Sequence, residues 1–168
     1  MRALLLVACA GLVACGAPDL SGIYQVTTHT EDQAGCGPGT PATSPPYFEL
    51  KRGSLFGTTL FEYILCSAPQ TSSCLDLGLL SIAFDVATRD GWVGDSYSAN
   101  GSGSVCVLGH IASSALLQSD GDVRIEFRHF SQTFQSTPSG GCTQQAARAQ
   151  SATLPCASDE VLFGTRVR

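Results

Sequence analysis

The chain has 168 residues, of which only 14% are charged, and a formal net charge of −5 at pH 7. Acidic residues outnumber basic ones by 14 to 9, and Lys51 is the only lysine. A chain of this composition has no basic patch that could follow a phosphate backbone, so we expect no binding to nucleic acid. The length suits one domain with a hydrophobic core of its own.

The first residues have the layout of a secretory signal. Met1-Arg2 supplies a basic start, and residues 3–14 form an apolar run. This run is too short for a transmembrane helix, which needs about 20 residues to cross the hydrocarbon core. We therefore expect a cleaved leader rather than a membrane-spanning segment.

The end of that run, Leu12-Val13-Ala14-Cys15, resembles the lipobox of bacterial lipoproteins. The resemblance implies cleavage before Cys15, a diacylglycerol on its sulfur and an acyl group on its new amino terminus. Two or more acyl chains hold a protein stably at a membrane, whereas one does not. The alternative is an ordinary secretory signal with Cys15 as an incidental thiol.

The lipobox resemblance also sets the expected organisation and location. Residues 1–14 are the signal peptide, 15–21 the lipidated terminus with a short tether, and 22–168 a single β domain. The membrane is then the first partner, through the acyl chains on Cys15. Gly16 is not the Asp that tends to retain lipoproteins of enteric bacteria at the inner membrane. We therefore expect a location in the cell envelope, at the outer membrane in a host that has one.

The remaining cysteines indicate a disulfide framework. Cys9 lies in the leader and Cys15 is taken by lipid, which leaves an even number in an exported domain. Cys66 and Cys74 flank a loop-like stretch between two strand patterns, so a local bridge is expected there. The other expected bridges are Cys142–Cys156, which bracket a polar stretch, and by elimination Cys36–Cys106. A zinc or redox site is the alternative, but the chain contains no C-x-x-C pair.

Strand patterns occupy most of the domain. Val123, Ile125 and Phe127 alternate with charged residues, which indicates a strand with one wet face. Residues 80–87 alternate in the same way, and Asp90-Gly91 and residues 119–122 are turn signals. Further strands are predicted at residues 23–28, 47–52, 55–65, 104–111 and 161–167. Residues 144–152 favour a short helix.

Two stretches are predicted to be loops: residues 31–46, which are rich in Pro and Gly, and residues 94–103, which are rich in Gly and Ser. Eight or nine short strands with few helical patterns are typical of a closed or layered β structure. The predicted fold is all-β, an antiparallel barrel or sandwich of about eight strands held by disulfides.

The two ends of the domain resemble those of lipocalins. Gly22-Ile23-Tyr24 opens the first strand, a long loop follows, and Arg166 lies in the last strand. The resemblance implies a barrel in which that arginine packs on the first-strand aromatic residue and the interior holds a small apolar ligand. Trp92, Phe84 and Phe127 are the expected cavity-lining residues. Tyr24 replaces the family's tryptophan, and the central motif of the family is not recognisable.

The sequence singles out no catalytic, metal-binding or cofactor-binding residue. Its three histidines are not spaced as ligand pairs, and a partial calcium-loop pattern at Asp120, Asp122 and Glu126 lacks the required glycine position. The leading hypothesis is a lipid-anchored envelope protein that acts as a non-enzymatic binding or interaction module, with a protein partner that the sequence does not identify. The alternatives are a lipocalin-like carrier of a small apolar ligand and a hydrolase with dispersed catalytic residues.

Overall fold

The computed structural model describes residues 16–75, 82–135 and 141–167. The predicted signal peptide and Cys15 lie outside these ranges. Of the helices in the described ranges, none combines the length and the apolar character needed to cross a membrane. The elements in chain order are β1 (Gly22–Asp32), β2 (Thr40–Pro41), β3 (Tyr47–Leu55), β4 (Thr58–Cys66), β5 (Ile82–Phe84), β6 (Val86–Ala87), β7 (Gly91–Ser102), β8 (Val105–Leu117), β9 (Val123–Phe134), α1 (Gln144–Gln150) and β10 (Cys156–Arg166).

The strands form one antiparallel barrel, which confirms the predicted fold class. The sheet order is β5-β4-β3-β1-β10-β9-β8-β7-β6, so the first strand pairs with the last. β5 and β6 are nearly continuous, and they pair with β4 on one side and with β7 on the other. The Asp85 amide adds a hydrogen bond of 3.0 Å to the Val93 carbonyl across this seam. The ends of the sheet therefore meet.

The antiparallel order gives the barrel two distinct ends. We use the term closed end for the end of the barrel at which β1 begins and β10 finishes. The turns β3–β4, β6–β7 and β8–β9 also lie there. The open end is the opposite one, where β1 finishes and β10 begins. The main core, built from Tyr24, Phe48, Phe61, Phe84 and Phe127 together with aliphatic residues, fills the barrel from the closed end towards its middle.

Residues 94–103 were predicted to be a loop, and this prediction is wrong for most of the stretch. Each residue of β7 pairs with β8, from Gly91 opposite Leu116 to Ser102 opposite Val105. At Gly94 the absence of a side chain reflects crowding rather than a turn. A Cβ on Gly94 would lie only 2.2 Å from the Ala83 carbonyl oxygen of β5, so only glycine fits at that crossing.

Two of the three expected disulfide pairings are also wrong. The structure joins Cys66 to Cys74, as expected, but it pairs Cys36 with Cys156 and Cys106 with Cys142. Cys36 follows β1 and Cys156 begins β10, and these strands are partners in the sheet. Pairing of the first strand with the last thus brings together cysteines 120 residues apart in sequence.

The bridge Cys106–Cys142 holds the approach to α1 against the outside of the barrel. The Thr143 side chain caps the helix by accepting a hydrogen bond from the Ala146 amide. Ala146 and Ala147 pack on the outer side chain of Leu108, which is fully buried. The helix predicted at residues 144–152 therefore forms, and it covers the outer face of β7 and β8.

Candidate functional site

The closed end is sealed by the segment that precedes β1. Leu20 is fully buried, and the Tyr24 hydroxyl donates a hydrogen bond of 2.7 Å to the Leu20 carbonyl. The indole nitrogen of Trp92 donates to the Pro18 carbonyl at 2.9 Å. Arg166 places its guanidinium 5.9 Å from the centre of the Tyr24 ring, which is the contact that the lipocalin resemblance implies. Burial raises the pKa of the Tyr24 hydroxyl.

The three residues expected to line a ligand cavity lie in the packed part of the barrel. Phe84 is fully buried and stacks on Phe127 with ring centres 6.2 Å apart. Trp92 meets the edge of Phe61 at 5.1 Å. Because these rings contact one another, they contribute to the core that holds the sheet together.

The inner face becomes accessible towards the open end. On β8 the inward residues Ser113 and Ala115 are buried, Val107 and Ile111 are partly exposed, and Val105 at the strand start is exposed. On the outer face of the same stretch Cys106 and Leu108 are buried beneath α1. The usual relation between inside and outside is thus reversed on this stretch of β8, and we call the open half of the barrel the cup.

His29 and Glu160 lie on the inner wall of this cup. His29 is opposite the core residue Leu162 in the β1–β10 register, and Glu160 is opposite Glu31. The His29 Nε2 atom lies 3.0 Å from Glu160 Oε1, and the His29 side chain is only 8% exposed. Within the described residues neither ring nitrogen of His29 makes a hydrogen bond of good geometry. A buried polar group without a good hydrogen bond is costly to the fold, which distinguishes this imidazole from the other polar groups of the barrel interior.

Tyr63, opposite the core residue Leu50 in the β3–β4 register, is near enough to Glu160 to feel the charge of its carboxylate. Its ring meets the edge of Phe127 at 5.0 Å and lies 5.3 Å from Phe48. Burial raises the pKa of its hydroxyl well above the ordinary range, and the negative charge of Glu160 raises it further. The Tyr63 hydroxyl therefore stays protonated at all physiological pH values and can both donate and accept a hydrogen bond.

This group was not predicted from the sequence. His29 is one of the three histidines that the sequence does not space as ligand pairs, and no sequence signal distinguishes Tyr63 or Glu160. The alternation of His29 and Glu31 about Thr30 places both on one face of a strand. Pairing with a strand 131 residues further along the chain was needed to bring Glu160 to them.

A second histidine–carboxylate pair lies on the outer face. His110 Nε2 is 2.6 Å from Asp95 Oδ1, and its ring is stacked between Tyr97 and Phe130 at 4.8 and 5.4 Å. A hydrolase would also need a nucleophile beside one of the histidines. The described hydrogen bonds of serine hydroxyls end on backbone carbonyls or, at Ser21, on Asp19. Neither histidine pair is thus accompanied by an activated serine in the described ranges.

One group of three potential metal ligands comes together in the described part of the chain, at Glu49, Cys66 and Cys74. Both sulfurs are bonded to each other, so neither is a thiolate that could bind a metal. Comparison of the chain with protein family models, with curated proteins and with solved structures gave no match.

Proposed function

We propose that this protein is a lipid-anchored binding module of the cell envelope, whose barrel takes a small ligand in its open half. The observation that carries the proposal is the buried His29 imidazole, 3.0 Å from Glu160 and without a hydrogen bond of good geometry. A ligand that donates to Glu160 and bonds to His29 would satisfy both groups. The sealed closed end leaves the open end as the route of entry.

The charges of the cup favour a ligand with a cationic group, such as a primary amine. Glu31 and Glu160 are opposite each other in the β1–β10 register and point inwards with His29. Two like charges directly opposite on neighbouring strands repel, and a bound cation offsets that repulsion. The Tyr63 ring adds an aromatic face, which attracts cations.

Calorimetric titration of benzylammonium chloride into the purified protein tests this site. We expect binding that Glu160→Gln weakens about tenfold or more, equal to about 1.4 kcal/mol. The matched control Glu49→Gln removes the same charge from the outer face of β3, and it should leave the affinity unchanged. Equal binding of benzyl alcohol, or an equal effect of the two variants, would refute a cation site in the barrel.

The lipid anchor is supported by the lipobox resemblance at Cys15 and by the exit of the chain at the closed end, away from the cup. Radiolabelled palmitate fed to bacterial cells that express the chain should enter the wild-type protein and not Cys15→Ala. Label in both proteins, or in neither, would refute the anchor and leave the barrel site to be judged on the titration.

Carriage of a small apolar ligand is the second candidate function, and the contact of Arg166 with Tyr24 favours it. The neutral probe N-phenyl-1-naphthylamine distinguishes it from the first. A carrier of this kind should enhance the probe's fluorescence equally in the wild type and in Glu160→Gln. No enhancement would exclude it.

A further inference from the structure

We propose that the β3–β4 hairpin inserts its tip, Leu55-Phe56, into the bilayer that holds the lipid anchor. The proposal rests on the acyl anchor at Cys15 and adds a second membrane contact to it. The tip is the most exposed apolar feature of the described chain: Phe56 is 99% exposed and Leu55 is 45% exposed.

Phe56 adopts a backbone conformation that is unfavourable for an aromatic residue, and its side chain makes no packing contact that would compensate. Phe56 has φ of 50°, and Gly57 follows with φ of 82°. This left-handed pair suits Asn-Gly or Gly-Gly, because an aromatic side chain is strained at a positive φ. A strained, fully exposed aromatic residue that packs on nothing in its own domain indicates a contact outside the domain.

The hairpin and the anchor leave the barrel at the same end. The Arg52 Nη1 atom lies 3.8 Å from Asp19 Oδ2, so the segment before β1 runs beside the base of the hairpin. Three further exposed apolar residues, Val86 in β6, Leu117 in β8 and Val167 just after β10, also lie at this end. The bilayer is therefore the surface that the tip faces when the chain is anchored.

The reach of the tether between Leu20 and Cys15 is similar to the distance by which the β3–β4 hairpin extends beyond the start of β1. Leu20 is fixed in the core, so the five residues from it to Cys15 reach at most about 18 Å. The last pair between β1 and β3 is Gly22 with Leu50, and β3 continues for residues 51–55 paired only with β4. Five strand residues extend about 17 Å. An anchor on so short a tether therefore brings the hairpin tip to the depth of the lipid surface.

The test is fluorescence of Phe56→Trp in the full-length acylated protein, bound to phosphatidylcholine vesicles that carry doxyl-labelled phosphatidylcholine. Ser104→Trp, in the β7–β8 turn at the open end, is the matched control, and the parent protein gives the background from Trp92. We expect doxyl lipid to quench the indole introduced at position 56 and to leave the one at position 104 unchanged. Absence of quenching at position 56 in palmitate-labelled protein overturns the hairpin proposal and leaves the anchor intact.

A second experiment measures the membrane contact of the hairpin in the absence of the acyl anchor. In the unacylated Cys15→Ser protein, Phe56→Ser should weaken partitioning to phosphatidylcholine vesicles about tenfold. Equal partitioning of the two proteins overturns the proposal whether or not Cys15 is acylated. Self-association of the lipid-free Cys15→Ser protein that Phe56→Ser abolishes, measured by sedimentation, would assign the tip to a second copy of the chain and overturn the bilayer contact.

Discussion

Removal of single disulfides should destabilise the barrel in proportion to the loops that they close. The bridges Cys36–Cys156, Cys106–Cys142 and Cys66–Cys74 span 120, 36 and 8 residues. The entropy lost by the unfolded chain on closing such loops corresponds to about 4.9, 3.8 and 2.5 kcal/mol. We therefore expect Cys36→Ala/Cys156→Ala to cost about 2 kcal/mol more than Cys66→Ala/Cys74→Ala.

The measurement is urea unfolding of each double variant, followed by the fluorescence of Trp92 at the closed end. Linear extrapolation gives the free energy of unfolding of each protein in water. Peptide mapping under non-reducing conditions controls for exchange among the four remaining cysteines of the domain. If removal of Cys66–Cys74 lowers the free energy of unfolding more than removal of Cys36–Cys156 does, loop closure is not the source of the stabilisation.

Substitutions at three other residues should each change the free energy of unfolding, which urea unfolding measures. Tyr24→Phe leaves the buried Leu20 carbonyl without its donor and should cost about 1–3 kcal/mol; an unchanged free energy would show that this bond does not seal the closed end. Glu126 has a pKa below its ordinary value of 4.5, chiefly because a neighbouring arginine donates a hydrogen bond to its carboxylate. The contribution of its carboxylate to the free energy of unfolding is therefore present at neutral pH and lost as the pH falls through that lowered pKa. The loss of stability caused by Glu126→Gln should thus become smaller in acid, and a loss independent of pH would contradict this. Gly94→Ala forces a methyl group against the Ala83 carbonyl and should cost about 3 kcal/mol; an unaltered midpoint would refute the close crossing of strands.

Local patterns predicted much of the barrel. The alternation at Val123, Ile125 and Phe127 identified β9 and its inward face, and these three side chains are buried. The turn at residues 119–122 forms where its Asp and Gly residues indicate, with the Gln118 amide bonded to the Asp122 carbonyl. Such signals act over a few residues, so one sequence is enough to read them.

Features that depend on distant pairing were missed. The glycines and serines of β7 have the composition of a loop, but Gly94 is required in the strand because β5 crosses it closely. The bridge from Cys36 to Cys156 and the contact of His29 with Glu160 both arise where the first strand meets the last. No local signal in the sequence specifies that meeting.

The position of β10 between β1 and β9 also constrains how the chain matures. When such a chain is exported amino terminus first, the strands from β1 through β9 emerge before β10 does. Until β10 has emerged, β1 and β9 each have an unpaired edge. In the proposed envelope location, which is oxidising, premature termination before Cys156 would leave both edges unpaired and Cys36 without its partner. Truncated products of this protein should therefore pair with one another and accumulate as mixed-disulfide aggregates.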